Sequence, residues 1–194
     1  MVLCGWRRIR AALRCEWHNV GRRCPGQHDS DNDKGSAINA MSEEGRFVIA
    51  WEASGIDSRG DYGVFAQRYS ASGAPQNGEF HVNTEVSSNL QSTLVSIDST
   101  GIFVIISNND SQGHVNTWGF IGQRYSPDGL LIGSEFQVNT AASSDWVNAS
   151  VAMDNQGDFV VVWSGNGIDD SDGIFGGVHD YVAKDGKRRG FYVQ

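Results

Sequence analysis

The heptapeptide Gly45-Arg46-Phe47-Val48-Ile49-Ala50-Trp51 occurs three times along the chain in related forms. It returns as Gly101-Ile102-Phe103-Val104-Ile105-Ile106-Ser107 and as Gly157-Asp158-Phe159-Val160-Val161-Val162-Trp163, so that equivalent positions recur at one constant offset. Two shorter segments share this offset: Gln67-Arg68-Tyr69 returns as Gln123-Arg124-Tyr125, and residues 79–84 return at 135–140. Three segments at one spacing indicate tandem structural repeats.

Each repeat is predicted to contain four short strands. In the first copy, strand one covers residues 37–41, and a polar turn ending in glycine joins it to the Phe-Val run, which forms strand two. The second strand is nearly all apolar in every copy, which indicates burial on both faces. The fourth strand alternates like an edge strand, with Phe80 and Val82 on one face and three polar residues on the other: Glu79, His81 and Asn83.

The expected fold class is therefore all-β, built from three four-stranded, blade-like antiparallel repeats at 31–86, 87–142 and 143–194. Four strands per unit, with one buried and one at the edge, are typical of a β-propeller blade. A stacked β-sandwich array is the alternative. The third copy is degenerate near the C-terminus, since His179-Asp180-Tyr181 stands in place of Gln-Arg-Tyr. Closed propellers have four to eight blades, so three repeats predict a partial propeller.

Residues 1–28 differ in composition from the repeats. They carry six arginines against one acid, together with all three cysteines, whereas residues 29–183 carry 21 acids against five bases. We expect residues 1–28 to be a basic leader outside the folded body, either disordered or not native. The acidic body argues against nucleic-acid binding, because it would repel phosphates.

Targeting signals are not recognisable in this chain. Arginines interrupt the N-terminal apolar stretch that a signal peptide requires, and no apolar run is long enough to form a transmembrane helix. The sequence therefore predicts no membrane span.

The repeat resembles one found in large secreted bacterial surface proteins, which are often described as calcium-binding or adhesin-like. The resemblance rests on Gly-x-Phe-Val-Val-Val-Trp, on Gly63-Val64-Phe65-Ala66-Gln67-Arg68-Tyr69 and on Glu-Phe-x-Val-Asn-Thr, and it covers residues 31–183. It implies an extracellular or cell-surface location and a module for adhesion. Ser107, in place of the tryptophan, and His179-Asp180 depart from the pattern.

Acidic residues cluster in the connections between the second and third strands. Carboxylates on a glycine-bent loop supply the oxygen ligands that calcium prefers, so these connections are candidate calcium sites, best in the third repeat. The same residue types also make ordinary turns, which is the alternative interpretation. The candidate metal ligands are Asp57, Asp61, Asp110, Asp169, Asp170 and Asp172.

No arrangement of residues predicts catalysis. The five histidines are scattered, and His81 stands where the next repeat has Gln137, so it is interpreted as an exposed strand residue. Tyr69 and Tyr125 are expected to point into the core, with Arg68 and Arg124 in water or paired with loop acids. The leading hypothesis is a non-enzymatic surface or adhesion module that binds a protein or glycan partner. The alternatives are a fragment of a propeller-fold hydrolase, such as a sialidase-like enzyme, and a degenerate reading frame without function.

Overall fold

The computed structural model describes residues 34–54, 62–83, 92–110, 118–138, 147–165, 173–179 and 191–193. Twelve strands in these ranges form three four-stranded antiparallel sheets, in which each strand pairs with the next along the chain. The expectation of an all-β fold made of antiparallel four-stranded repeats is confirmed.

The strands of the three sheets are as follows. Sheet 1 contains β1 (Lys34–Met41), β2 (Phe47–Ala53), β3 (Gly63–Tyr69) and β4 (Pro75–His81). Sheet 2 contains β5 (Thr93–Ile97), β6 (Phe103–Asp110), β7 (Trp118–Tyr125) and β8 (Leu131–Gln137). Sheet 3 contains β9 (Val147–Met153), β10 (Phe159–Gly165), β11 (Gly173–His179) and β12 (Phe191–Val193).

The turn between the first two strands of a sheet explains why glycine precedes each Phe-Val run. In sheet 2 the backbone N–H of Gly101 donates to the carbonyl of Asp98 at 3.2 Å, and Gly101 has a φ of 94°. That left-handed conformation strains residues with a Cβ atom. The Asp98 carboxylate also accepts the N–H of Ile102 at 2.9 Å, which closes the turn.

The sheets pack face to face. Even-numbered and odd-numbered residues of a strand point to opposite faces of its sheet. Because the offset between repeats is an even number, equivalent residues of the three sheets have the same parity. We call the two sides of each sheet its even and odd faces. The even face of sheet 1, with Val48 and Val64, packs on the odd face of sheet 2, with Phe103 and Ile105. The even face of sheet 2 then packs on the odd face of sheet 3. The first strands lie at the centre of this packing, since β5 contacts β1, β2 and β9.

The residues of the Gln-Arg-Tyr triplet take part in this packing. Tyr69 stacks on Phe47 with ring centroids 4.7 Å apart and is 4% exposed, which confirms the inward orientation expected for it. Tyr125 stacks on Phe103 in the same way, at 4.9 Å. Gln67 donates from Nε2 to the carbonyls of neighbouring residues at the irregular pairing of β3 with β4.

Of the two expectations for these arginines, exposure to water is wrong, since Arg68 and Arg124 are each only 8% exposed. Pairing with a loop acid has support at Arg68, which feels the negative charge of Asp128 in the turn after β7. Arg68 donates to the carbonyl of Pro127 in sheet 2, and Arg124 donates to the carbonyl of Gly157 in sheet 3 at 3.4 Å. Burial lowers the pKa of Arg68, while the negative charge of Asp128 opposes that change. Each arginine therefore bridges its own sheet to the next one.

Sheet 3 departs from the expected register. Phe47 pairs with Tyr69 and Phe103 with Tyr125, so the repeat offset predicts Tyr181 opposite Phe159. The observed partner of Phe159 is His179, two positions earlier. The alignment of His179-Asp180-Tyr181 with Gln-Arg-Tyr is therefore wrong at the level of strand pairing, because the connection before β11 is effectively shorter.

The fourth strand of sheet 1 is an edge strand, as expected, but the residues that follow it are buried. His81 is exposed, whereas Val82 and Asn83 are 7% and 6% exposed. The side-chain oxygen of Asn83 accepts the backbone N–H of Val64 at 2.7 Å. Asn83 therefore satisfies a backbone donor of β3 and does not lie on the exposed face where its position in the sequence placed it.

Candidate functional site

The second strands β2, β6 and β10 all carry a polar residue near their C-terminal end, where the apolar pattern stops. These residues are Glu52, Asn108 and Ser164, which occupy equivalent positions of the three repeats. Each has a polar counterpart on or just before the first strand of its sheet. We call this end of the three sheets, defined by the pairs Ser36–Glu52, Ser92–Asn108 and Asn148–Ser164, the polar rim.

Glu52 is a buried carboxyl group with hydrogen-bond partners from two sheets. It is 6% exposed, and its Oε1 accepts a hydrogen bond from the hydroxyl of Thr93 in sheet 2 at 3.2 Å. Burial raises the pKa of Glu52, and hydrogen bonds from Thr93 and Ser36 partly oppose that rise. The polar rim therefore holds an acid that is easier to protonate than an exposed glutamate.

Asn108 is the most deeply buried member of the polar rim, at 1% exposure. Its backbone N–H donates to the carbonyl of Ser92 at 3.0 Å. Neither Nδ2 nor Oδ1 of its side chain has a hydrogen-bond partner among the residues that the structure describes. An unsatisfied buried amide costs about 1–3 kcal/mol, so Asn108 is a point of the polar rim where the described residues leave a donor and an acceptor unsatisfied.

Backbone irregularities lie at the same end of sheets 1 and 3. Ser36 has a φ of 43° and Asn148 a φ of 53°, although neither is glycine. In sheet 1 the irregular pairing of β1 with β2 spans Gly35 to Ile38, which contains Ser36. In sheet 3 the Nδ2 of Asn148 donates to the hydroxyl of Ser164 at 3.4 Å. Bulges and left-handed residues are concentrated at binding and catalytic sites in proteins, because they redirect side chains.

The polar rim combines one acid with neutral donors and acceptors. Hydroxyl and amide groups of this kind recognise ligands through directed hydrogen bonds, and a buried carboxyl can either accept a hydrogen bond or, when protonated, donate one. Chemistry that transfers a proton would draw on Glu52, whose pKa is raised in the direction a general acid requires.

The candidate calcium ligands fall almost entirely outside the described ranges. Asp57, Asp61, Asp169, Asp170 and Asp172 lie there. The backbone of Asp110 ends β6 opposite Trp118. Within the described ranges, no three His, Cys, Asp or Glu side chains are grouped so that they could hold a metal ion. The calcium hypothesis therefore stays a prediction.

A cleft of about 140 Å³ lies between sheets 1 and 2 at the end opposite the polar rim. Arg46, Arg68 and Asp128 are among its lining residues. Both arginines already have partners, because Arg46 pairs with Glu44 at 3.0 Å and Arg68 bridges to Pro127. This cleft is consequently a seam between packed sheets, with its two arginines already engaged.

Sequence reasoning missed the polar rim. The signal was available, because a polar residue follows the apolar run at the same position of every repeat. The carboxylates that cluster in the sequence lie in the connections beyond the strands and not at this position. The burial of Glu52 and Asn108 depends on packing between sheets, which local sequence does not reveal.

Comparison with known proteins gives little for this chain. No family model matches it, and no curated protein matches it significantly. Among solved structures it is similar to an endo-arabinase from Bacteroides thetaiotaomicron VPI-5482, with 14% sequence identity and a TM-score of 0.45. The match covers 79% of this chain and 58% of that enzyme. In the part of the chain that the structure describes, no helix has the length and apolar character needed to cross a bilayer.

Proposed function

We propose that the chain is a non-enzymatic binding module on a scaffold of β-propeller blades, and that it binds a glycan or protein partner at the polar rim. The observation that carries this proposal is the buried side chain of Asn108, whose donor and acceptor atoms are both unpaired within the described ranges. The hydroxyl of Thr93 and the carboxyl of Glu52 add further hydrogen-bonding groups between sheets 1 and 2.

Propeller blades explain the packing better than a stacked sandwich does. Radial repetition brings the first strand of every blade to a common centre, and β5 contacts both β1 and β9. Sheets 1 and 2 also each pack through their even face on the next sheet, so a single direction of stacking is kept. We accordingly infer a partial propeller of three blades.

The repeat signature supports a scaffold role for most of its residues. Gln67, Arg68 and Tyr69 all make contacts within or between sheets. Because the residues of this motif are engaged in packing, the strand ends and their connections are left for recognition, as in other repeat proteins.

A glycan has the right chemistry for the polar rim, since sugar hydroxyls donate and accept hydrogen bonds at once and can satisfy both atoms of an amide. Because Asn108 is only 1% exposed, binding requires the rim to open around its side chain. A protein partner would have to present polar groups to the same place. The resemblance to secreted bacterial surface proteins supports an extracellular or cell-surface location and stabilisation by calcium, and both belong to this proposal.

Screening the chain against an array of immobilised glycans tests the proposal. We expect at least one glycan to bind and Asn108→Ala to weaken its binding, while Asn39→Ala, at an exposed position of β1, leaves it unchanged. If no glycan binds and no protein is captured in an Asn108-dependent way, the proposed role of the polar rim is wrong.

The second candidate function is hydrolysis by a propeller-fold enzyme, and the raised pKa of Glu52 favours it. A general acid needs a carboxyl that stays protonated near neutral pH. Release of nitrophenol from aryl glycosides, abolished in Glu52→Gln, would establish an enzyme in place of a binding module.

A further inference from the structure

The even face of sheet 3 leaves apolar residues in contact with solvent. Val160 and Val162 on the central strand β10 are 37% and 41% exposed. The residues at the same positions of sheets 1 and 2 are at most 2% exposed, because the next sheet covers them. Those residues are Val48, Ala50, Val104 and Ile106.

The odd face of sheet 1 is only partly covered at the other end of the array: Trp51 and Tyr69 on this face are 2% and 4% exposed, whereas the residues at the start of β2 are less buried. Phe47 and Ile49 are only partly buried. The residues at these positions in sheets 2 and 3 are at most 3% exposed, since the preceding sheet covers them: Phe103, Ile105, Phe159 and Val161. Met41, at the end of β1 on this odd face, is 44% exposed.

The even face of sheet 3 and the odd face of sheet 1 match the way in which the sheets of one chain pack on each other. The contacts between sheets in the described residues place an even face of one repeat on an odd face of the next. Within those same residues, the even face of sheet 3 lacks an odd face to cover it, and sheet 1 presents part of such a face at Met41, Phe47 and Ile49. In the described residues, the even face of sheet 3 is therefore of the same kind as the even face that sheet 2 packs on sheet 3.

We propose that the even face of sheet 3 docks on the odd face of sheet 1 in a second copy of this chain. Such a contact is heterologous, because two different surfaces meet, and it forms a closed ring when the rotation between copies allows. Two copies would then contribute six sheets, which lies within the range of four to eight blades found in closed propellers. The proposal depends on the packing of the sheets and holds whatever ligand the polar rim binds.

Burial of the exposed valines supplies a driving force for the contact. Apolar side chains on a sheet face are stabilised when they leave water, and Val160 and Val162 stand where the internal interfaces hold fully buried aliphatic residues. A charge placed there would be buried without a partner on docking. It would remain in solvent in the single chain, so its effect on folding is small.

Sedimentation equilibrium of the whole chain at micromolar concentrations tests the proposal. We expect a species with twice the chain mass of 21.1 kDa. Val162→Glu should weaken dimerisation by about tenfold or more, as expected for an unpaired buried charge. Leu130→Glu, at a turn residue that is 69% exposed, should leave it unchanged. A monomer at all concentrations would overturn the proposal and leave a further repeat in a longer chain as the occupant.

Complementation between variants distinguishes the proposed contact from a symmetric one. Met41→Glu should weaken dimerisation as Val162→Glu does, because it alters the opposite face. A mixture of the two variants retains one unaltered interface and should form a mixed dimer, although neither variant dimerises alone at the same concentration. If Met41→Glu has no effect and the mixture stays monomeric, the sheet 3 faces pack on each other and the head-to-tail contact is refuted.

Discussion

Replacing Gly122 with alanine tests how closely the strands and sheets are packed in the second repeat. A Cβ atom at Gly122 would lie 2.3 Å from Cζ of Phe136 and 2.8 Å from Cδ1 of Ile106. Sheet 1 accepts alanine at the equivalent position, since Ala66 lies opposite Ala50, whereas Gly122 lies opposite Ile106. Sheet 1 thus fills this position with two alanines, whereas sheet 2 fills it with one large side chain and a glycine.

The magnitudes follow from this exchange of volume. Overpacking by one methyl group costs about 1–3 kcal/mol, and the lower backbone entropy of unfolded alanine offsets about 0.5–1 kcal/mol of that. Ile106→Ala alone removes a fully buried side chain and should cost about 2–5 kcal/mol. In the double variant the contact with Ile106 is removed, and the ring of Phe136, which is the nearer neighbour of the added methyl group, can shift into the space that Ile106 has left. We expect the double variant to be more stable than the sum of the single changes by about 0.5–3 kcal/mol.

Urea unfolding of the four proteins gives this coupling free energy directly. Gly78→Ala serves as a control, because nothing lies within 4 Å of a Cβ at that position. Its free energy of unfolding should stay within about 0.5 kcal/mol of the parent. If the single changes at Gly122 and Ile106 are additive, the close contact between them does not exist and the packing described for sheet 2 is wrong.

Three further outcomes are expected. Glu52→Gln should raise the melting temperature at neutral pH, and the increase should become smaller towards pH 4. The pKa of Glu52 is raised, so folding favours the protonated acid, and the stability of the parent falls as pH rises through that pKa. The exposed control Glu44→Gln should show no such trend. Millimolar calcium should raise the melting temperature, by an amount equivalent to about 2.7 kcal/mol at a hundredfold excess over the dissociation constant, and Asp170→Asn with Asp172→Asn should abolish most of the rise. An unchanged melting temperature in calcium would exclude the metal site. Proteolytic removal of residues 1–28 should leave the melting temperature unaltered, whereas a clear decrease would show that they pack on the body.

Strand positions followed from the sequence because they depend on local alternation and turn residues. Phe47, Phe103 and Phe159 begin their strands at the spacing that the repeat predicts. The pairing of sheet 3 could not be predicted in the same way. It depends on the length of the connection before β11, and a shift by two positions keeps each side chain on the same face, so the apolar pattern cannot detect it.

The arginines and the polar rim escaped prediction for a different reason. An arginine in a strand is expected at the surface, because a charged side chain is rarely buried without a partner, yet the partner of Arg68 is Pro127 in the next repeat. Asn108 and Glu52 become buried only when two sheets pack together. Contacts between repeats have no local signature, so the sequence predicted the units and left the interfaces between them undefined.

Disulfide trapping between neighbouring turns tests the stacking of the sheets most directly. The backbone N–H of Ser99 in sheet 2 donates to the side-chain oxygen of Asn155 in sheet 3 at 3.3 Å, and these residues are one repeat apart. With the three native cysteines replaced by serine, Ser99→Cys and Asn155→Cys should form a disulfide under mild oxidation, detected by mass spectrometry. The pair Glu43→Cys and Asn155→Cys, two repeats apart, should stay reduced. Equal or preferential trapping of the distant pair would contradict the sequential packing of the three sheets.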